Sequence, residues 1–542
     1  MSQKAIPVRG HQSVRIFARV LAIGILLLEP LHLRIPVASC TPSTESPAVP
    51  DPLSLIDAVK VMLILQPEIR IAEQQVLWNR SLVQQALGQF DVNLQAGLSQ
   101  RGDTVPISPL AQLTYQSGQQ SLSTYTTNYY AAASKQFRFG MTSSLSLQYN
   151  RVDQNALPAP YGQSVLVFSV QQPLLRGRGA DSTAAVETAA KIQQEVSELQ
   201  LRQAIAQRIR DVCVAYWSYV TSSQQISRWT EAETRARDML SDEQRLVQLG
   251  QHPASNLKLL SANLAELTAA RSDAQRQALE ARQALGLAMG LSWQQTMQLG
   301  TPSTDFGSLP ESSLPPPDHL QALIQSAWTQ RADVLAASAM IRAAQTQSRA
   351  AQRGTEPRLD AQVDLGYAGL AEGTGAAPFF TAPYQNVAGL NFFAGLNFQF
   401  PVQNNTAKGL MLQRTTEQAQ AVLVRDNLQR QIGGTLAVLA ASLRAAVLSQ
   451  SSTEAAVIAY QGAVEDERKK VRAGLSTTFD LIQVQSRLNT ASQNALLARA
   501  RVASLVAQAR YESGMLVAPR GDQTVLHLEQ LTTFPSVQSA AP

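Results

Sequence analysis

From Asp181 to Leu249 the chain runs without a proline or a glycine, and only Gly250 stops the run. Apolar residues recur three and four apart, the period of a helix. At ~1.5 Å per residue such a helix is roughly 100 Å long, about three times the diameter of a small domain. No globular core covers a rod of that length, so it must lie along other rods, as in a coiled coil. A turn at "GQHPAS", Gly250–Ser255, leads into a second helix from about Asn256 to Met289, which predicts an antiparallel hairpin.

The hairpin turn is written twice. "EQRLVQLGQHPASNL", Glu243–Leu257, returns as "ERKKVRAGLSTTFDL", Glu467–Leu481, with Glu, Val, Gly and Leu at the same places and Asn256 opposite Asp480. The flanking patterns repeat as well. A helical stretch runs from Leu53 to about Gln89, broken at Pro67, with Ser54 and Asp57 placed to cap its start. Period-two stretches follow at Phe90–Ser99, Phe137–Tyr149 and Ser164–Leu175, the last closed by Pro173. "RGRG", Arg176–Gly179, precedes the long rod. After a Pro- and Ser-rich linker, Gly300–His319, a helix runs from about Leu320 to Arg353. Strands at Arg358–Leu370 and Asn391–Val402 follow, the second closed by Pro401. A rod from about Ala407 to Arg472, a turn at "AGLST" and a helix from about Thr478 to Tyr511 complete the second half. The expected fold is mainly α with β: two tandem helix–strand–strand–helix–helix repeats over residues 53–299 and 320–515, joined by the linker at 300–319 and followed by an irregular tail at 516–542. The repeat period is far too long for a solenoid.

The ends of the chain and its composition narrow the function classes. Lys4, Arg9, Arg15 and Arg19 precede a short apolar run, Val20–Leu28, which suits a signal-peptide core rather than a membrane span. "VASC", Val37–Cys40, resembles a bacterial lipobox, although Glu29, Pro30, His32 and Arg34 separate it from the apolar run. Residues 1–40 read as a signal peptide of possible lipoprotein type, Cys40 as the candidate lipidation site, and 41–52 as a linker. No later stretch of about 18 apolar residues predicts a transmembrane helix. A net charge of +5 over 542 residues is too mild for a nucleic-acid footprint. Two cysteines and five scattered histidines make neither a disulfide framework nor a metal cluster. No phosphate loop, zinc spacing or nucleophile setting stands out, so neither an enzyme nor a cofactor is expected.

In "NFFAGLNFQF", Phe392, Ala394, Leu396, Phe398 and Phe400 point one way, and Asn391, Phe393, Gly395, Asn397 and Gln399 the other. Leu166, Phe168 and Val170 repeat this more weakly. Such alternation fits a membrane β-barrel, but a half-buried soluble sheet gives the same pattern and is favoured by the strands alone. Two good strands per half give about four, whereas a closed barrel needs ~8 or more. If the strands cross a membrane, several chains must share one barrel, and three would supply about twelve.

With the order and the local marks together, the chain resembles the TolC-like outer-membrane efflux proteins. The marks are "LSLIDAVKVMLILQPEI", "QQPLLRGRG", "AYWSYV", "RADVLAASAMIRAAQ" and "VRAGLSTTFDLIQVQSRL", spread over Leu53–Met515. The resemblance implies a homotrimeric channel-tunnel, with a β-barrel in the outer-membrane lipid and a helical barrel in the periplasm. It implies a periplasmic adaptor and an inner-membrane pump as partners, in tripartite efflux or type I secretion. At the periplasmic mouth it points to Asp480, with Gln483 where a second acid often stands, and to Asn256 and Arg472. It assigns the turn residues Gly250, Pro253, Gly474 and Thr477 to adaptor contact. A helix-ending role for the two glycines and a cap at Thr477–Asp480 suit the same residues. Arg468, Lys469, Lys470 and Arg472 read as a solvated basic face or a gate. Cys213 and Tyr216, Trp217 and Tyr219 read as packing. The rival function is a soluble periplasmic coiled-coil adaptor or scaffold.

Overall fold

A computed structural model describes residues 50–108, 120–307, 320–387, 389–516 and 531–533. Cys40 and the rest of the leader, residues 308–319 of the linker and most of the tail lie outside them. The opening helical stretch is two helices, α1 (Leu55–Leu65) and α2 (Pro67–Leu87), divided at Pro67. Ser54 caps α1: its hydroxyl accepts from the Asp57 N–H at 3.2 Å and donates to the Asp57 carboxylate at 2.5 Å.

Four strands follow rather than the two counted from the sequence: β1 (Val92–Pro106), β2 (Ser121–Gln136), β3 (Thr142–Gln154) and β4 (Tyr161–Pro173). The rod α3 (Ala185–Gln248) turns at Gly250 into α4 (Ser255–Met289). The second half has α5 (Leu320–Gln330), α6 (Ala332–Gly354), β5 (Arg358–Glu372), β6 (Leu390–Gln399), the 68-residue rod α7 (Asn405–Arg472) and α8 (Thr478–Glu512). The helix expected as one piece from Leu320 is broken at Arg331, whose backbone is extended.

The rods are covered along their length by changing partners. Near the sheet α3 packs against α2 and α6, and α7 against α6. Beyond the middle α3 packs against α4, and α7 against α8. Apolar side chains converge where the partners change. Leu55, Val59 and Met62 of α1 meet Ile209, Val212, Tyr216 and Trp217 of α3 and Leu285 and Met289 of α4. A smaller cluster in the second half joins Leu323, Ala327 and Val334 to Ile432 and Leu436 of α7. One window of α7 reaches a mean hydropathy of 1.6, so by length and composition the chain has a stretch able to cross a membrane, contrary to the sequence reading. That window belongs to a rod of roughly 100 Å, three times a bilayer core, that packs on α6 and α8. Alanine and leucine supply its hydropathy for close helix contact.

The six strands form one antiparallel meander in chain order, β1 to β6. The register aligns their alternation. Leu94, Ala133, Leu145, Phe168, Leu365 and Phe392 lie side by side, and so do Ala96, Ala131, Leu147, Leu166, Tyr367 and Leu390. The opposite face carries rows such as Asn93, Ser134, Ser144, Ser169 and Asp364, or Ser99, Asn128, Asn150 and Gln163. One end of the apolar face is aromatic: Phe379, on a short helix at Ala377–Thr381, packs edge-on against Tyr129 and Tyr149.

The break at Arg331 is held by charge. Its guanidinium, 6% exposed, pairs with Asp333 at 2.8 Å and with Glu512 at the end of α8, and lies 5.3 Å from the Tyr511 ring centre. Burial alone would lower its pKa, but hydrogen bonds and charge from Asp333, with Glu512, more than reverse this and keep it cationic. Arg331→Met leaves both carboxylates without their partner, and removing one side of a buried pair costs about 3–5 kcal/mol. A clear drop in the denaturant midpoint of the purified protein is the expected outcome, with Glu512→Gln shifting it in the same direction.

Candidate functional site

The two hairpin tips lie at matching places in the two halves, and the structure builds them on one frame. Each rod ends at a glycine with positive φ, 73° at Gly250 and 72° at Gly474. At both, the N–H of the following residue reaches back to close the helix: Gln251 N–H donates to Leu246 C=O at 2.9 Å, and Leu475 N–H to Lys470 C=O at 2.9 Å. Such a left-handed ending is open to glycine at little cost, which explains why Gly is shared by both copies.

In each tip a glutamate of the rod, seven residues before the glycine, holds the turn from below. Glu243 accepts from the Asn256 side-chain amide at 2.7 Å and lies 2.9 Å from the His252 ring nitrogen Nδ1. Glu467 accepts from the Ser476 hydroxyl. His252 and Ser476 both stand nine residues after their glutamate. The pairing was legible in the duplicated stretch, since Glu was shared by both copies, but sequence reasoning did not give it a role. Pro253 is exposed and its C=O accepts from the Asn256 N–H at 3.2 Å, starting α4.

The second tip differs by one carboxylate. Thr477 caps α8: its hydroxyl accepts from the Asp480 N–H at 3.2 Å, and Asp480 in turn accepts from the Thr477 N–H at 3.2 Å. The Thr477 hydroxyl and N–H hold the Asp480 carboxyl below the usual range. Ser476, followed by Lys470, holds Glu467 low as well, with nearby Asp480 opposing. Ser476 has a single proton, directed at Glu467, so its 3.3 Å approach to Asp480 competes with that bond. In the first tip the amide of Asn256 removes this conflict by donating to the glutamate.

The basic run is largely paired with acids one turn earlier: Arg468 with Glu465 at 3.1 Å, Lys469 with Asp466 at 3.2 Å and Lys470 with Glu467 at 3.1 Å. Arg472 is exposed on the last turn of α7, and Gln483 is exposed on the second turn of α8. Behind the tips a groove of about 930 Å³ separates the two hairpins, lined among others by Arg228, Glu231, Arg235, Glu266, Glu465 and Arg468. The opposed charges give it no net preference for an ionic ligand.

Nearer the sheet, the aromatic patch on α3 is structural. Tyr216 and Trp217 are buried; the Tyr216 hydroxyl donates to Leu53 C=O at 3.0 Å and accepts from the Thr304 N–H at 3.0 Å. Tyr219 donates to Gly300 C=O at 3.1 Å. The start of the linker is thus docked rather than loose. Cys213 is buried beside them, its thiol pushed up to about 12 by burial, and behaves as a small core residue. Arg176 and Arg178 flank the strand-to-rod turn, in which Gly177 and Gly179 take positive φ. Among the described residues no three His, Cys, Asp or Glu side chains gather as metal ligands.

No family model matches the sequence, and no curated protein matches it significantly. Solved structures do. A membrane protein from Pseudomonas aeruginosa aligns over 85% of this chain and 90% of its own, with a TM-score of 0.61 and 13% identity. The Campylobacter jejuni CmeC outer membrane channel covers 85% of both chains with a TM-score of 0.60 and 13% identity. The outer membrane protein VceC from Vibrio cholerae covers 85% of this chain and 96% of its own, at 0.58 and 16%. At such identities the likeness is one of fold, and it covers 85% of the chain. The chain has the fold of the TolC-type outer-membrane channels.

Proposed function

We propose that the protein is a passive conduit, the outer-membrane channel component of a tripartite efflux or type I secretion system. The observation that carries this reading is the apolar face of the sheet. Leu98, Leu390, Phe392, Leu396 and Phe398 are each at least 65% exposed. A soluble adaptor or scaffold would hold this face in water, whereas lipid solvates it without cost. The opposite face is polar and suits a water-filled lumen. Behind the sheet, rods of roughly 100 Å are long enough to reach across a periplasmic gap. The solved channels of the same fold are outer-membrane proteins by name, which supports the location.

In this reading three copies assemble, the sheets in the outer membrane and the hairpins as a tunnel in the periplasm. Cys40 is lipidated after removal of the leader. The tips meet a periplasmic adaptor through Gly250, Pro253, Gly474 and Thr477, and an inner-membrane pump supplies the energy. Opening is an outward shift of the tip hairpins, with Asp480, Gln483, Asn256 and Arg472 around the mouth. Three copies place three Asp480 carboxylates there, with Gln483 adding no charge.

Purified protein in a planar bilayer is expected to give discrete conductance steps, with mass photometry of the same sample reporting trimers. A water-soluble species that never inserts would leave the scaffold reading in its place. Asp480→Asn recreates in the second tip the donor that Asn256 offers Glu243. Its cation-over-anion permeability ratio is expected to fall by about twofold or more while the unfolding midpoint stays put. An unchanged reversal potential would remove Asp480 from the mouth. The pH dependence has a definite sign. The native carboxyl lies below its unfolded value of ~3.9, so its stabilisation is complete above that pH and is lost as pH falls through the lower native value. Amide exchange at the second tip should therefore speed up in acid relative to the first, and Asp480→Asn should reduce the difference, the remainder belonging to Glu467.

A further inference from the structure

Among the described residues the sheet has two bare edges. β1 is paired along one side by β2, and β6 along one side by β5. Each free side carries a row of backbone N–H and C=O groups that water would satisfy and hydrocarbon would not. Soluble sheets protect such edges with charge, proline or bulges. Here β6 has none of these, and β1 has no charge or proline between Val92 and Gln100. With 15 and 10 residues, both strands are long enough to cross a bilayer.

The strand count lets the edges meet. In an up-and-down sheet of six strands the last runs opposite to the first. A copy rotated about a common axis therefore brings its β6 antiparallel to β1 of its neighbour. The apolar rows end at Leu94 on one edge and Phe392 on the other, so the join continues the same face.

We infer that β1 of each copy pairs with β6 of the next. In the three-copy assembly, on which this inference rests, the six-stranded sheets close an eighteen-stranded barrel rather than the twelve-stranded one that four strands per chain would give. The hairpin β2–β3 supplies the additional width, and it is a full stave of the wall. Its strands pair along nearly their whole length on both sides and carry the Leu94–Phe392 and Ala96–Leu390 rows through, with Lys135 and Arg151 towards the two ends of the same face. Its lower turn is fixed to the helical body. Arg138 pairs with the buried Glu187 of α3 at 2.8 Å and lies 4.8 Å from the Phe90 ring centre. The Gly179 N–H donates to Phe139 C=O at 2.9 Å. Gly140 approaches Gly177 so closely that a Cβ would come within 2.2 Å of its carbonyl oxygen.

At ~4.8 Å between strands and a tilt of ~40°, eighteen strands make a ring about 36 Å across at the backbone, against about 24 Å for twelve. With side chains subtracted, the open cross-section is about three times larger. A lumen of that width, walled by Ser, Asn and Gln, does not sort drug-sized solutes by diameter. It fits bulky hydrated cargo, such as an unfolded or small folded polypeptide.

The test uses the full chain with Cys40→Ser and Cys213→Ala, carrying Ala96→Cys on β1 and, in separate variants, Phe392→Cys, Ala394→Cys or Leu396→Cys on β6. Oxidation is expected to give covalent dimers and trimers that need both cysteines in one of the three registers. Polymer exclusion from the conducting channel is expected to give the cut-off of the wider ring. A variant with β1 rejoined directly to β4 through a short Gly-Ser turn should conduct about threefold less. Should that variant not fold, cross-linking and the full-chain cut-off still decide. A conducting channel with no β1–β6 cross-link in any register, or with a twelve-strand cut-off, would overturn the inference and leave the conduit standing. Cross-linked rings that insert but carry no current would keep the barrel and overturn the conduit.

Discussion

A helix of 64 residues has no inside, and its stability comes from what lies along it. That constraint organises the whole chain. α3 is flanked first by α2 and α6 and then by α4, and α7 passes from α6 to α8. Each hand-over leaves a place where one partner ends before the next takes up the rod. Those places hold the largest apolar side chains, Trp217, Tyr216, Met62 and Met289, and the buried Arg331 pair. Beyond them the contacts are smaller, alanines such as Ala232, Ala236 and Ala274 between α3 and α4 and a cluster of Leu443, Ala446, Val447, Val502 and Val506 between α7 and α8. The largest buried side chains are thus concentrated at the middle of the molecule rather than towards the tips.

How much of this was legible follows from the kind of signal each element leaves. The rods were read to within a few residues, because proline is absent inside both and each stops at a glycine, although α7 carries Gly409, Gly433, Gly434 and Gly462 within it. The break at Pro67 and the cap at Ser54 are local chemistry and needed no tertiary knowledge. The break at Arg331 was invisible, since its cause is a contact with Glu512, far along the chain. Strand β2 was missed for a different reason. Its outward positions are Tyr125, Thr127, Tyr129, Ala131 and Ala133 and its inward ones mostly Ser, Thr and Asn, so the contrast that marks a strand is weak. The stretch at Phe137–Tyr149 was read as strand from its first residue, but Phe137–Met141 is the turn and β3 begins at Thr142. At the tips the duplication exposed the glycines, while the partners of Glu243 and Glu467 needed the turn to be folded.

The two tips show how a copied element diverges without losing its shape. The frame of glutamate, left-handed glycine and polar turn is kept. What changes is the group offered to the glutamate: an amide and an imidazole in one copy, a hydroxyl in the other. Residue 256 is consequently neutral and joined to the rod, whereas residue 480 is charged and joined to its own helix start. At this one matched position the charge belongs to the second tip alone, even though the folds of the two tips match.

Leu53 and Pro302 form a parallel bridge, with Leu53 N–H on Thr301 C=O at 3.0 Å and Ser303 N–H on Leu53 C=O at 2.9 Å. The first half therefore starts and finishes at one point, and Tyr216 fastens both ends to the same rod. A unit whose termini touch is a closed loop in space, and such units accept being copied, recut or circularly permuted because their ends need not be moved. New termini opened at the first tip, with the old ones joined across the bridge, would leave every helix and strand of that half where it stands. A chain built from such a loop has a ready route to carrying it twice.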